Sequence, residues 1–315
     1  MPLVSVVMAS YNHEEYVSAA IESVLGQTFT GFELIVVDDA SKDRSRDIIK
    51  SYQERDHRVR TFFHDQNQGI GRTFNEGIER AQASFLAFIA SDDLWTKNKL
   101  EKQLEVLCED PNLIVWSEGS IIRADGNSTG RFFTQNIGAA KKKKSGDIFE
   151  ELLARNFIFG SSLILNRENL GEIRFCEGLK YLNDYQFEVD LARKYNYHFI
   201  AEPLAMYRIH GRNSILGDRV GRLSDSIIIG HYFLRKYGSE ISSSVNGKIL
   251  YSIGLNHCWL GDLRTGRVHL LKAITRYPFN VKALIAIYLS LFGPAGFKAA
   301  GAYYEGLRSC KKKYF

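Results

Sequence analysis

Cysteine is scarce and scattered in these 315 residues. Its four copies, Cys108, Cys176, Cys258 and Cys310, lie far apart with no CxxC pair. That spacing argues against a zinc site or a disulfide framework and suggests a reducing compartment. A basic segment followed by an apolar stretch is missing from the N-terminus, where "PLVSVVMAS" begins at once. No signal peptide is expected, and the expected location is cytoplasmic. Also absent is a run of about 20 apolar residues, the length of a bilayer span. A basic stripe with interleaved aromatics is lacking too, so no nucleic-acid partner is expected. The net charge of +5 rests on Lys141 to Lys144 and Lys311 to Lys313; removing those seven charges leaves −2. A glycine-rich dinucleotide fingerprint is not there either, because "GIGRTF" has Phe74 where a third glycine is needed.

What is present is a globular composition, 45% hydrophobic and 24% charged, long enough for an α/β domain with an appendage or for two domains. "LVSVVM" reads as a buried strand. The helix after it has Asn12 as its expected N-cap with Glu15 three residues on, Val17, Ala20, Ile21, Val24 and Leu25 on one face, and Gly26 as its stop. "ELIVVDDAS" is a second strand, and Ser41 is expected to cap a helix carrying Ile48, Ile49 and Tyr52. "RVRTFF", the helix "GRTFNEGIERAQA", "SFLAFIA", a helix through Leu100, Leu104 and Leu107, and "NLIVWSE" continue the alternation. Strands alternating with helices imply a largely parallel sheet flanked by helices.

In such sheets ligands bind at the carboxyl ends of the strands. Ser10 and Tyr11, Asp38 and Asp39, and Asp92 and Asp93 collect at three of those ends. The last pair ends "FLAFIASDDLW", where neighbouring carboxylates repel. Such a pair is tolerable on a solvated turn, and useful if a cation sits between it and an anionic ligand. Residues 118–146 lack apolar periodicity and read as a flexible excursion. "DIFEELLARN", the strand "SSLILN", the helix "YLNDYQFEVDLARKY" and the strand "EPLAMYRIHG" follow, and from about residue 218 the pattern is helical. The expected division is therefore 1–217 for the α/β domain and 218–315 for a C-terminal helical region.

"VSVVMASYNHEEYVSAAIESVLGQTFTGFELIVVDDASKDRS", "NQGIGRTFNEGIERAQASFLAFIASDDLW", "NDYQFEVDLARKY" and "MYRIHGRNS" together resemble family-2 glycosyltransferases of the GT-A fold, over roughly residues 2–215. The resemblance implies an enzyme that moves a sugar from a nucleotide-diphosphate sugar to a hydroxyl, with inversion. By that likeness Ala9 and Tyr11 border the nucleotide, Tyr11 through its π face. Asp39 accepts from a base imide N–H, which suits a UDP- or dTDP-sugar, while Asp38 is either structural or part of the site. Asp93 is implied as a ligand of Mn²⁺ or Mg²⁺, Asp92 as a contact to ribose or to the metal's outer shell, and His210 as a further metal or pyrophosphate contact. Arg72, Arg208 and Arg212 are rival phosphate contacts. Asp184 is implied as general base, with Glu188 as the fallback.

One departure stands out: related sequences often carry Asp where this chain has Ala90. "QxxRW" is absent, since none of Trp95, Trp116 and Trp259 follows an Arg, so single addition is expected rather than processive polymerisation. The implied acceptor is a glycan or lipid-linked glycan of cell-surface polysaccharide synthesis. Two rivals are a two-carboxylate glycosidase, which needs no cation, and a non-catalytic nucleotide-sugar-binding scaffold. In the tail, residues 283–292 ("ALIAIYLSLF") are expected either to pack as a core helix or to lie at the inner face of the membrane. In the second case Tyr303, Tyr304 and Phe315 sit near the headgroups, and Lys311 to Lys313 face anionic lipid.

Overall fold

The computed structural model describes residues 1–140, 142, 144–211, 213 and 217–301. Arg212, Tyr303, Tyr304, Lys311 to Lys313 and Phe315, named above as candidate contacts, lie outside the described residues. The chain forms two compact units, Met1–Asn213 and Ser214–Phe315.

In the first unit β1 (Val4–Ser10) lies between β2 (Phe32–Asp38) and β4 (Phe85–Ala90), parallel to both, and β3 (Val59–Phe63) extends the parallel set beyond β2. Every residue of β1 and β2 is buried, as the continuous apolar runs of centrally placed parallel strands require. The register pairs Ser10 with Asp38 and Ala9 with Ala90, so these strands end level at one edge. Three helices pack along this half, α1 (Val17–Leu25), α2 (Ser45–Arg55) and α3 (Ile70–Arg80). Gly77 of α3 sits so close to β1 that a Cβ would come within 2.2 Å of the Val7 side chain.

Beyond β4 the sheet becomes mixed. β8 (Ile164–Asn166) pairs antiparallel with β4 and with β6 (Ile114–Arg123), β9 (Tyr197–Ile209) runs parallel to β6, and β5 (Leu94–Trp95) pairs antiparallel with β9. α4 (Lys99–Glu109), the short α5 (Phe133–Asn136) and α6 (Phe149–Ala154), and α7 (Asn183–Ala192) are the further helices of this unit.

Three sequence expectations change. Asn12 does not cap α1, which begins at Val17; its backbone is left-handed, with φ 54°, and its side chain accepts from the Lys42 N–H at 2.8 Å. Ser41 does not cap α2, which begins at Ser45; its hydroxyl donates to Asp38 Oδ2 at 2.5 Å and accepts from the Asn12 N–H at 2.8 Å. Both residues tie the loop after β1 to the loop after β2, because cross-loop partners satisfy them better than a helix end. Third, much of the excursion is a β-hairpin: β6 runs on to Arg123, and β7 (Ser128–Phe132) returns antiparallel to it. The polar stretch survives burial because Glu118 accepts from the N–H groups of Gly119 and Thr134, each at 3.0 Å, and from the Thr134 hydroxyl.

The second unit contains α8 (Arg219–Tyr237), α9 (Ser243–Leu260), α10 (Leu263–Arg276) and α11 (Val281–Ser290). Asp218, Ser242, Asp262 and Asn280 each accept a backbone N–H from the first turn of the helix they precede, satisfying a donor that has no partner within the helix. α11 buries only the small Ala283, Ala286 and Ser290, leaving Leu284, Ile285 and Tyr288 exposed. Among the described residues no helix is long and apolar enough to cross a membrane.

Candidate active site

The chain turns sharply after β4. The Ser91 N–H donates to the Ala9 carbonyl at 3.2 Å and the Asp93 N–H to the Ala90 carbonyl at 3.1 Å. This turn sends the two carboxylates to different places. Asp92 Oδ2 lies 3.0 Å from His210 Nε2 and 4.0 Å from His13 Nε2. Asp93 faces the interior, where its Oδ2 accepts from Ser161 Oγ at 2.6 Å and its Oδ1 from the Arg208 N–H at 3.1 Å.

Their protonation diverges accordingly. Burial opposes charge on Asp92, yet the hydrogen bond from His210 and the nearby imidazoles His13 and His210 hold its pKa below the ordinary value. Burial first, and the adjacent Asp92 second, push Asp93 well above it, and Ser161 only partly offsets this. Each oxygen of Asp93 accepts one hydrogen bond inside the fold, while Asp92 is the carboxylate that meets His13 and His210.

His210 follows the last residue of β9 and is held by its backbone, its N–H donating to Asn213 Oδ1 at 2.5 Å while Asn213 Nδ2 donates to the Arg208 carbonyl at 2.9 Å. Its ring lies 4.6 Å from that of Tyr16 and 5.7 Å from that of His13. His13 Nδ1 is 2.8 Å from Ser91 Oγ. His13, Asp92 and His210 each bring one ligand-type atom into a cluster spanning at most 4.8 Å. Arg208, one of the rival phosphate contacts, is committed elsewhere. Its Nε donates to the Asp92 carbonyl at 2.8 Å and its Nη1 to the Ala124 carbonyl at 2.9 Å, and the guanidinium covers the Tyr16 ring at 5.1 Å.

At the end of β1, Ala9 is buried and Tyr11 is 44% exposed, with its ring available to a flat partner. Asp38 is fully enclosed, accepting from the N–H of Ser41 at 2.9 Å as well as from its hydroxyl. Of its two readings, the structural one fits. Asp39 accepts from the Gln68 N–H at 2.7 Å, the Gly69 N–H at 2.9 Å and His64 Nδ1 at 2.7 Å. A carboxylate has about four lone-pair sites, so one remains for a further donor. His64 also reaches Glu76 Oε2 at 2.9 Å; burial opposes its charge, but hydrogen bonds to Asp39 and Glu76 prevail and raise its pKa. Arg72 forms ion pairs with Glu79 at 3.1 Å and Glu177 at 3.8 Å.

Asp184 occupies the first turn of α7, half-buried, with its Oδ1 accepting from the Tyr185 N–H at 2.7 Å. Burial lifts its pKa to about 6, against backbone hydrogen bonds that pull it down. Glu188, one turn on, is buried and stands well above the usual carboxyl range through burial and then the charge of Asp184. Burial, and then the charges of Asp93, Asp92 and Asp184, raise the pKa of the Tyr207 hydroxyl.

His13, Ser161, His64 and Tyr207 went unread in the sequence. His13 carried the clearest signal, lying two residues beyond Tyr11 at the same strand end. Ser161 and His64 carried none, because they act on Asp93 and Asp39 across 68 and 25 residues of chain.

Residues 5–210 match the family described as Glycosyl transferase family 2. TuaG of Bacillus subtilis (strain 168), provisionally named as a teichuronic acid biosynthesis glycosyltransferase, is 32% identical over 209 residues, covering 66% of this chain and 79% of its own length. Among solved structures, S. aureus TarS 1-349 in complex with UDP-GlcNAc superposes with a TM-score of 0.68 at 18% identity, over 97% of this chain and 92% of that one. The mannosyltransferase PcManGT from Pyrobaculum calidifontis, in complex with GDP-Man and Mn2+, gives 0.59 at 17% identity, over 96% and 86%. At such identities these structures speak for the fold alone, which is the GT-A arrangement of a mixed sheet between helices. The chain belongs to glycosyl transferase family 2 and is a glycosyltransferase.

Proposed function

We propose that the protein transfers one sugar at a time from a UDP- or dTDP-sugar to a hydroxyl acceptor, inverting the anomeric centre. The observation that carries this reading is the meeting of Asp92 and His210 at the carboxyl edge of the sheet, where an anionic ligand needs a cation to bind beside an acid. A carboxylate oxygen and an imidazole nitrogen are a donor set that fits Mn²⁺, and less well Mg²⁺. Asp92 and His210 would hold the ion, with Asp93 supporting the turn instead of ligating. When bound, a divalent cation neutralises charge on the departing diphosphate.

The chain's own groups do the rest. Tyr11 offers its ring to the base, and the remaining lone pair of Asp39 accepts the imide N–H that uracil and thymine share. Asp184, with its pKa near the working pH, takes the proton of the acceptor hydroxyl as that oxygen attacks the anomeric carbon. The nucleotide leaves from the opposite face with the bonding electron pair, so configuration inverts. Ala9, buried at the end of β1, is assigned a place beside the nucleotide on the family likeness.

The acceptor is proposed to be a glycan or lipid-linked glycan met at the cytoplasmic face of the membrane. The exposed apolar side of α11, together with exposed Phe279, Leu291 and Phe292, supports that location.

A thermal-shift comparison of UDP, dTDP and GDP, with and without Mn²⁺, tests the reading directly. Stabilisation by UDP or dTDP that requires Mn²⁺ is expected, and transfer should stop with a chelator and return with Mn²⁺. Sugar hydrolysis that survives the chelator would instead mark a glycosidase. Nucleotide binding without any transfer would mark a scaffold.

A further inference from the structure

We propose that His13 is a third protein ligand of the cation site, so that His13, Asp92 and His210 form a two-histidine, one-carboxylate set that prefers first-row transition metals to Mg²⁺. The inference rests on the cation reading above but concerns a residue which that reading does not use.

Three observations converge on His13. Its Nε2 lies 4.0 Å from Asp92 Oδ2, the same oxygen that His210 Nε2 approaches at 3.0 Å. Ligand atoms around one ion with bonds of about 2.1 Å stand no more than roughly twice that length apart. The Asp92–His13 spacing therefore fits as it stands, and the full spread of 4.8 Å closes with a small shift of one side chain.

The second observation is the partner of the other ring nitrogen. Nδ1 of His13 is 2.8 Å from Ser91 Oγ. An Nδ1–H donated to that hydroxyl leaves the lone pair on Nε2, the nitrogen facing Asp92. A ring N–H donated to an outer partner is the usual way a ligating imidazole is oriented.

The third is preorganisation. The rings of His13, His210 and Tyr16 pack against one another with centroids 4.6 to 6.1 Å apart, and the Arg208 guanidinium covers Tyr16. This packing leaves only that small shift to be made when an ion arrives.

Ala90 gives the set its purpose. The last residue of β4 has no ligand atom to offer, so the oxygen count at this strand end is low, and the loop after β1 supplies a nitrogen instead. Two nitrogens and one oxygen suit Mn²⁺, Fe²⁺, Co²⁺ or Zn²⁺ better than Mg²⁺, which favours an oxygen shell.

The test is Mn²⁺ binding by the full-length protein in the presence of UDP, followed by the loss of the free-ion EPR signal, with Mg²⁺ as competitor. Wild type should bind Mn²⁺ and resist displacement by Mg²⁺, and His13→Ala should weaken Mn²⁺ binding about tenfold or more and narrow the preference. Pulsed EPR of the Mn²⁺-loaded wild type should count two imidazole nitrogens, a measurement that needs no variant to fold. One imidazole nitrogen, or unchanged affinity in His13→Ala while Asp92→Asn loses the ion, overturns the role of His13 and leaves the cation reading standing. Failure of the wild type to bind Mn²⁺ at all removes both.

Discussion

Asp92 and Asp93 are neighbours in the chain and face opposite ways: Asp92 Oδ2 lies 3.0 Å from His210 Nε2, while Asp93 Oδ2 accepts the Ser161 hydroxyl at 2.6 Å. Repulsion between adjacent carboxylates is relieved in two ways at once. One group is paired with imidazoles, and the other is pushed toward its neutral form by burial and by its neighbour.

The division of labour predicts opposite phenotypes. Asp93→Ala strips an acceptor from both Ser161 Oγ and the Arg208 N–H, each loss costing about 1–3 kcal/mol. Its melting temperature should fall by several degrees. Asp92→Asn should melt near wild type yet lose Mn²⁺-dependent nucleotide stabilisation. Calorimetry with and without nucleotide decides, and the reverse pattern would return Asp93 to the metal.

Asp184 should set the acid limb of the pH–rate profile. The base must be ionised, so kcat/KM should decline as pH falls through about 6. Asp184→Asn should keep donor affinity while transfer drops by about 10²-fold or more. Near wild-type transfer in Asp184→Asn, with loss in Glu188→Gln, would move the role to Glu188.

The same carboxyl makes a stability prediction of defined sign. Its folded pKa, about 6, exceeds the ordinary 3.8, so its contribution is full below 3.8 and is lost as pH rises through 6. At pH 7.5 the Asp184→Asn protein should therefore melt higher than wild type, the usual trade between activity and stability at a working acid. An unchanged or lower melting temperature would count against a penalised carboxylate.

In the second unit, His231 of α8, His257 of α9 and His269 of α10 gather, with ring centroids 5.2 Å apart for His231 and His269 and 5.7 Å for His257 and His269. Burial and then neighbouring positive charge lower the pKa of His231; burial likewise lowers that of His257, partly offset by Asp262. A histidine with a folded pKa below 6.5 adds stability above that value and loses it as pH falls through the window beneath. Unfolding of the helical unit should shift to lower temperature between pH 7 and 5, and His231→Gln should blunt the shift. Equal pH dependence in the variant would dismiss the cluster as its source.

Membrane contact is tested by sedimentation with anionic liposomes. Binding is expected at low salt, weaker at high salt, and lost in the Leu284→Glu, Ile285→Glu double variant. Gln at Lys311 to Lys313 should weaken it as well. A wild type that stays in the supernatant even at low salt would leave the exposed side of α11 without a lipid partner.

Local rules were enough for much of this molecule. The alternation of apolar runs and helical stripes placed β1 to β4 and α1 to α4, because burial on a strand or helix face is written in periods of two or 3.6 residues. It also put Tyr11, Asp39 and Asp92 at strand ends, since a strand stops where its apolar run stops. The hairpin of β6 and β7 escaped that logic. Its buried Glu118 is satisfied by Thr134, 16 residues later, and no periodicity announces such a partner.

Side-chain direction escaped it too. Past Ala90 the backbone leaves the pleat, so adjacency no longer tells which carboxyl faces out; hydrogen bonds from Ser161 and Arg208 decide that for Asp93. His13 reaches Asp92 across 79 residues and His210 across 118, and only the level ends of the sheet bring the three together. The sequence by itself determined the fold class and the edge at which chemistry collects, because both follow from short-range patterns of burial. Which atoms meet at that edge was decided by the tertiary structure, because hydrogen bonding and charge there act between residues distant in the chain.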